Sequence, residues 1–190
     1  MKTLERLNVN DITIVLADLQ PEIIASANRT LAEKDLRKSV SILVEGAEIL
    51  DIPVFISVVS LHPDLYPNVI DEISMYVPTI RSTSNVFDDG PSLEKFSAQT
   101  RSTIILGGVA SELVVVQSAL EARRLGYDVH LLTDVCGGLS ERTEKATFKQ
   151  LEGVGVTLSS VAVFLSSLLP TTDDPRFALM FRTLGRFLDN

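Results

Sequence analysis

The stretch GGVASELVVVQSALEARRLGYDVHLLTD, residues 107–134, decides the fold class. Two glycines close the apolar run STIILGG, residues 102–108, and a segment of helical period opens on a serine and an acid. Gly126 stands where a left-handed residue ends a helix, and DVHLLTD, residues 128–134, is a second apolar run rich enough in branched residues to be a strand. Strand, tight turn, helix and strand in so short a span make a βαβ unit, whose crossover demands a parallel sheet. Such a turn commonly presents a nucleophile. This one presents Ser111, Glu112, Leu113 and the valines 114–116.

The same alternation extends in both directions. ITIVLADL, residues 12–19, reads as a first strand ending on an acid, and Pro21 suits the first turn of the helix after it. Residues 31–50 place Leu36, Val40, Leu43, Val44 and Ala47 on one helical face. PVFISVV, residues 53–59, is a second strand opened by a proline, and a brief third strand ends near Arg81. Downstream, Ser140 caps a helix running to about Gly153, GVTLSS reads as a short edge strand, and two helices follow around residues 160–169 and 174–188. The pattern predicts one α/β domain over residues 1–190, with a mainly parallel sheet of about six strands covered on both faces.

Bulk properties narrow the function classes. A net charge of -8 and a pI near 4.8 argue against a nucleic-acid partner, because phosphate binding needs a concentrated basic face. No apolar run approaches the roughly 18 residues needed to cross a bilayer, and the N-terminus lacks a signal peptide's pattern, so no membrane role and a cytoplasmic location are expected. One cysteine excludes an internal disulfide, and with two scattered histidines it makes no zinc site. Neither a metal nor another cofactor is expected. The C-terminal helix carries Phe177, Leu179, Met180, Phe181 and Leu184, more apolar surface than one face buries, which points to a homo-oligomer.

Ligands of such sheets bind at the carboxyl ends of the strands. That rule selects Asp18, the 57–63 loop, residues 81–87, the turn 108–114 and residues 134–138. Three motifs in order, VLADLQ, LGGVASELVVVQSALEARRLGYDVHLLTD and DVCGGLSERTEKATFKQLEGVGV, resemble the isochorismatase-like hydrolase superfamily over nearly the whole chain. The segment IRSTSNVFDD resembles a bacterial branch of hydrolases whose substrates are mostly unassigned. The resemblance implies a Rossmann-like three-layer α/β/α sandwich, usually in dimers or larger oligomers. It also implies a site of Asp, Lys and Cys, in which the Cys attacks a carbonyl or nitrile carbon. Asp18 matches the family aspartate, Arg81 falls near the lysine, and Val114 falls where the cysteine should be.

Valine has no lone pair to donate, so no covalent intermediate forms at position 114 and the triad is altered. The superfamily also includes isochorismatases proper, which lack the cysteine and use the aspartate as an acid on an enol ether. Two readings of the site therefore stand. One is a hydrolase of a small, anionic substrate with Asp18 as general acid or base and Arg81 gripping the anion by its planar fork. Backbone N–H groups near Val109 to Val114, with Val109 and Ala110 where the family often has a cis peptide, would stabilise negative charge. Gln20 and Asn85 are candidate polar contacts, Phe87 a pocket wall and Val114 an apolar floor. The other reading is an inactive family member that binds a small molecule or serves in an oligomer. A relocated nucleophile at Cys136 is a third possibility. His62 is a loop residue in reach of substrate, and His130 a strand histidine.

Overall fold

A computed structural model of the chain describes residues 7–61, 66–88, 90–97 and 100–188. Six strands form one sheet in the order β3-β2-β1-β4-β5-β6, and every neighbouring pair is parallel. In chain order these are β1 (Ile12–Ala17), β2 (Val54–Val59), β3 (Thr79–Arg81), β4 (Thr103–Val109), β5 (Asp128–Gly137) and β6 (Thr157–Ser159). The helices are α1 (Pro21–Ala27), α2 (Glu33–Ile49), α3 (Gly90–Ser97), α4 (Val116–Arg124), α5 (Glu141–Gly153), α6 (Val161–Ser167) and α7 (Phe177–Gly185).

Parallel strands need crossovers, and the crossovers cover both faces, so the central strands lose water on each side. Strand β1 is buried at all six positions. Ile12, Ile14 and Leu16 point to one core with Leu36, Leu43, Phe164 and Met180, from α2, α6 and α7. Val15 and Ala17 point to the other, with Phe87, Val115, Ala119 and Leu151. Burying each large side chain stabilises the fold by about 1.5–3 kcal/mol, which is why unbroken apolar runs mark these strands.

Three boundaries differ from expectation. Strand β5 continues to Gly137 instead of stopping at Asp134, because the β4–β5 register shifts between Leu106 and Gly108 and then pairs Gly108 with Cys136 and Val109 with Gly137. The helix expected from Ser111 begins as a π-helical turn, Ser111–Val115, and Ser111 does not cap it. The last helix is shorter, ending at Gly185 and tightening into a 3-10 turn over Arg186–Leu188. Helix α3 was not anticipated, its short span being framed by Gly90 and Pro91. Gly126 is left-handed, with φ 93°, and Ser140 accepts the Thr143 N–H at 3.2 Å, both as expected.

The chain reverses direction across the sheet between β1 and β4, the place where ligand crevices open in this class. The two strands come together there because Gly108 has no side chain. Its φ is 152°, and a Cβ would overlap the carbonyl oxygen of Ala17. Gly108→Ala should therefore lower stability by about 3 kcal/mol, from overlap and backbone strain together, read as a shifted urea midpoint. An unchanged midpoint would mean that β4 can draw away from β1 without cost.

Candidate functional site

Asp18 follows β1 directly and adopts a left-handed backbone, φ 56°, a conformation that Asp tolerates better than most residues. Its N–H donates to Ser57 O at 2.9 Å, which prolongs the β1–β2 pairing by one residue. Its carboxylate meets Arg81, from the end of β3, two strands away. Neighbouring strands lie about 4.8 Å apart, so only a long side chain spans that gap. Arg81 does so with its guanidinium forked on the carboxylate, Nη1 to Oδ1 at 2.7 Å and Nη2 to Oδ2 at 2.6 Å. Asp18 is 5% exposed and Arg81 4%.

The guanidinium is held from its other sides as well. Nη1 also donates to the hydroxyl of Ser57 at 3.3 Å, and Nε donates to Thr83 O at 3.2 Å. Four of five N–H groups are thereby engaged. The fork expected to grip a substrate anion is closed on Asp18 instead, a correction that follows from burial: a carboxylate without water needs its partner in place. Ser57 and Thr83 lie in the selected 57–63 and 81–87 segments but were not singled out there. A serine inside the otherwise apolar PVFISVV was the one signal available for Ser57.

The turn after β4 contains a cis peptide between Val109 and Ala110, where the resemblance located it. Val114 is 3% exposed and belongs to the core cluster that contains Val15, Ala17 and Phe87. It brings hydrocarbon, not a lone pair, to the position beside the turn. Two carboxylates hold the turn from the far side. Ser111 donates to Glu144 Oε1 at 2.7 Å, while Glu112 accepts from Leu139 N at 2.9 Å and from the Thr143 hydroxyl at 2.5 Å.

The other candidates are committed to the fold. The Gln20 side chain donates to Val59 O and accepts Val59 N–H, both at 3.1 Å, as a further rung beyond the sheet. Asn85 accepts the N–H groups of Phe87 and Asp88 at 2.8 and 2.9 Å, and its carbonyl accepts the Thr83 hydroxyl at 2.7 Å, so it steadies the residue that holds Arg81 Nε. Phe87 is 1% exposed and packs on Phe96 and Tyr127, with ring centroids 4.9 and 6.0 Å away. It is a core ring, not an open wall.

A cavity of about 120 Å³ does open beside Gln20, lined also by Pro21, Leu61, Tyr66 and Pro67. His62 lies outside the described residues. His130 is half-buried on β5, with Nε2 3.3 Å from Asp128 Oδ2. Cys136 is 1% exposed, and burial pushes its thiol up, with Glu144 and Asp134 adding to the rise, so it is no ready thiolate. Among the described residues no cluster of three or more His, Cys, Asp or Glu could hold a metal.

Two outcomes follow for the site. Arg81→Met leaves a buried carboxylate unpaired and should cost about 3–5 kcal/mol, whereas adding Asp18→Leu should recover much of the loss. A double variant as unstable as the single one would contradict the pairing. Burial raises the Glu112 carboxyl, but the bonds from Thr143, Leu139 and Ser140 outweigh it and hold the group below its ordinary value of 4.5. A depressed value means stability that is complete above about pH 4.5 and lost as pH falls through the folded value. The stability gap between wild type and Glu112→Gln should accordingly be full at neutral pH and shrink in acid. A gap independent of pH would remove the carboxylate from the account.

Sequence and structure comparisons agree with this architecture. The Isochorismatase domain family matches residues 13–163. Isochorismatase family protein 2B of Dictyostelium discoideum is 25% identical over 158 residues, covering 73% of this chain and 69% of that protein. The YcaC gene product of Escherichia coli, described as an octameric hydrolase of unknown specificity, superposes with a TM-score of 0.85 at 20% identity over 96% of this chain and 92% of its own. A MAR1 ribonuclease from Caenorhabditis elegans superposes with a TM-score of 0.80 at 18% identity, covering 94% and 92%. At such identities the superpositions establish the fold, on which unlike chemistries occur. With its switch-point aspartate, its parallel six-stranded sheet and a family match spanning residues 13–163, the chain belongs to the isochorismatase family.

Proposed function

We propose that the protein is a hydrolase that works through water, with Asp18 as the base that takes a proton from the attacking water and the acid that returns it to the leaving group. On an ester or amide, water attacks the carbonyl carbon, the displaced electron pair rests on the carbonyl oxygen, and collapse breaks the bond to the leaving group as the proton arrives. On an enol ether the protonated carboxyl gives its proton to the alkene carbon, water adds to the resulting oxocarbenium carbon and loses its proton to the carboxylate, and the alcohol leaves as that carbon becomes a carbonyl. Backbone N–H groups beside Val109 and Ala110 face the growing charge at the start of the π-turn, where Ala110 supplies no side-chain cap. The observation that carries the reading is the buried Asp18–Arg81 pair at the switch point of the sheet.

The substrate is a small molecule. Because the Arg81 fork is spent on Asp18, an uncharged ester, amide or enol ether fits better than an anion, and the mainly apolar cavity beside Gln20 supports that choice. The acidic net charge supports a small molecule over nucleic acid, and no helix among the described residues is long and apolar enough to cross a membrane. A homo-oligomer, supported by the octameric description of YcaC, working in the cytoplasm without cofactor completes the reading.

One observation favours a second reading, that of an inactive family member that only binds. Both oxygens of Asp18 are closed by Arg81, and no thiol stands at position 114. A panel of neutral esters, amides and enol ethers, with anionic counterparts, separates the two when given to wild type and to Asp18→Asn of verified circular dichroism. Turnover on neutral members, reduced at least about 100-fold in the variant, is expected. Undiminished turnover by Asp18→Asn sinks the mechanism, and ligand-induced thermal shifts without turnover establish the binder.

A further inference from the structure

The chain leaves β1 in a way that places a cavity next to Asp18. Asp18 N donates to Ser57 O at 2.9 Å, and the Gln20 side chain exchanges two bonds with the backbone of Val59, each 3.1 Å, so residues 18–20 run beside the end of β2 as if the sheet continued. Ile70 N donates to Leu19 O at 3.0 Å, which draws the segment 66–70 onto the same stretch. The cavity of about 120 Å³ lies between these segments. Two residues of extended chain span at most about 7 Å, so its floor at Gln20 is within one small molecule's length of Asp18.

The lining suits hydrocarbon. Pro21 and Pro67 carry no N–H, and Nε2 and Oε1 of Gln20 are both engaged by Val59, so the floor offers methylene groups. Leu61 and Tyr66, 48% and 63% exposed, line it with apolar surface that the fold leaves in water. The polar lining residues Glu22 and Asn68 are themselves exposed, and among the described residues no cation lines the cavity, so no charge there balances a carboxylate. A concave, mostly apolar pocket at the carboxyl edge of a parallel sheet is the form that a small-molecule site takes. A dry apolar cavity of about 150 Å³ takes benzene, which scales to about four or five carbons for the volume here.

We propose that this cavity is the subsite for the hydrocarbon part of the substrate, a neutral chain of about four or five carbons attached to the group on which Asp18 acts. The inference rests on the hydrolase reading above and names the side of the substrate that does not react. Leu61 and Tyr66 set the length. Carbons that enter bury apolar surface on both partners, and carbons beyond the rim gain nothing more.

The probes are straight-chain primary amides from acetamide to octanamide, titrated into protein carrying methyl-labelled leucine and followed by NMR. Affinity should rise about fourfold per added methylene up to pentanamide or hexanamide and then level off, with the Leu61 methyl resonances moving. Leu61→Trp, which narrows the cavity, should shorten the best chain even though it adds apolar surface, and Tyr66→Ala should weaken hexanamide about fivefold or more. Both positions are exposed, and circular dichroism checks the fold of each variant. On neutral straight-chain esters, kcat/KM should follow the same profile. Affinity flat in chain length, or a best length that neither variant moves, overturns the subsite. The expected binding profile without turnover of any neutral ester or amide upholds the subsite and sinks the hydrolase, whereas turnover whose kcat/KM ignores chain length keeps the hydrolase and sinks the subsite.

Discussion

A carboxylate at the end of a strand with no solvent on either face has to be neutralised where it stands, and the site follows from that constraint. Strand β1 is central, so Asp18 cannot turn to water. Its partner must come from within the sheet, and β2 supplies only the short Ser57 at that level, which pairs in register with Ala17. The cation therefore has to reach from β3 across β2, and it needs a carbonyl and a hydroxyl to fix its remaining N–H groups. The left-handed backbone of Asp18, the Thr83 carbonyl and the self-bonded Asn85 loop all serve one planar contact that lysine, a point charge without the fork, would make differently.

Much of the architecture was legible in the chain because buried parallel strands are written as unbroken apolar runs. ITIVLADL and STIILGG leave little choice of element, and Pro21 marks a helix start by its missing N–H. Ends set by a neighbour were not legible. Nothing in VCG says that β5 continues past Asp134, since the extension depends on Gly108 and Val109 accepting it as a pairing partner. Nor does the run of valines 114–116 distinguish a π-turn from an α-helix, for the apolar surface is the same.

The candidate site was legible as a list of strand-end residues more than in its bonds. Asp18 and Arg81 were each named from the sequence, and the forked bond that joins them depends on strand order, which spacing along the chain does not encode. The polar atoms of Gln20 and Asn85 looked available in sequence and are spent on the backbone of Val59 and of the 85–88 turn. Position 114 carries a buried valine in the core cluster beside the turn, and the groups that gather at the end of β1 bring oxygen and nitrogen.

The burial of the one thiol bears on how the protein meets its surroundings. A site built on a thiolate is lost when peroxide converts the sulfur to sulfenic acid, and the loss becomes irreversible with further oxidation. The single thiol here is Cys136, sealed at 1% exposure and driven away from the thiolate by burial. Oxidation has no exposed thiolate from which to start. A carboxylate and a guanidinium have no such oxidation ladder, so the Asp18–Arg81 pair is indifferent to the redox poise of the compartment around it.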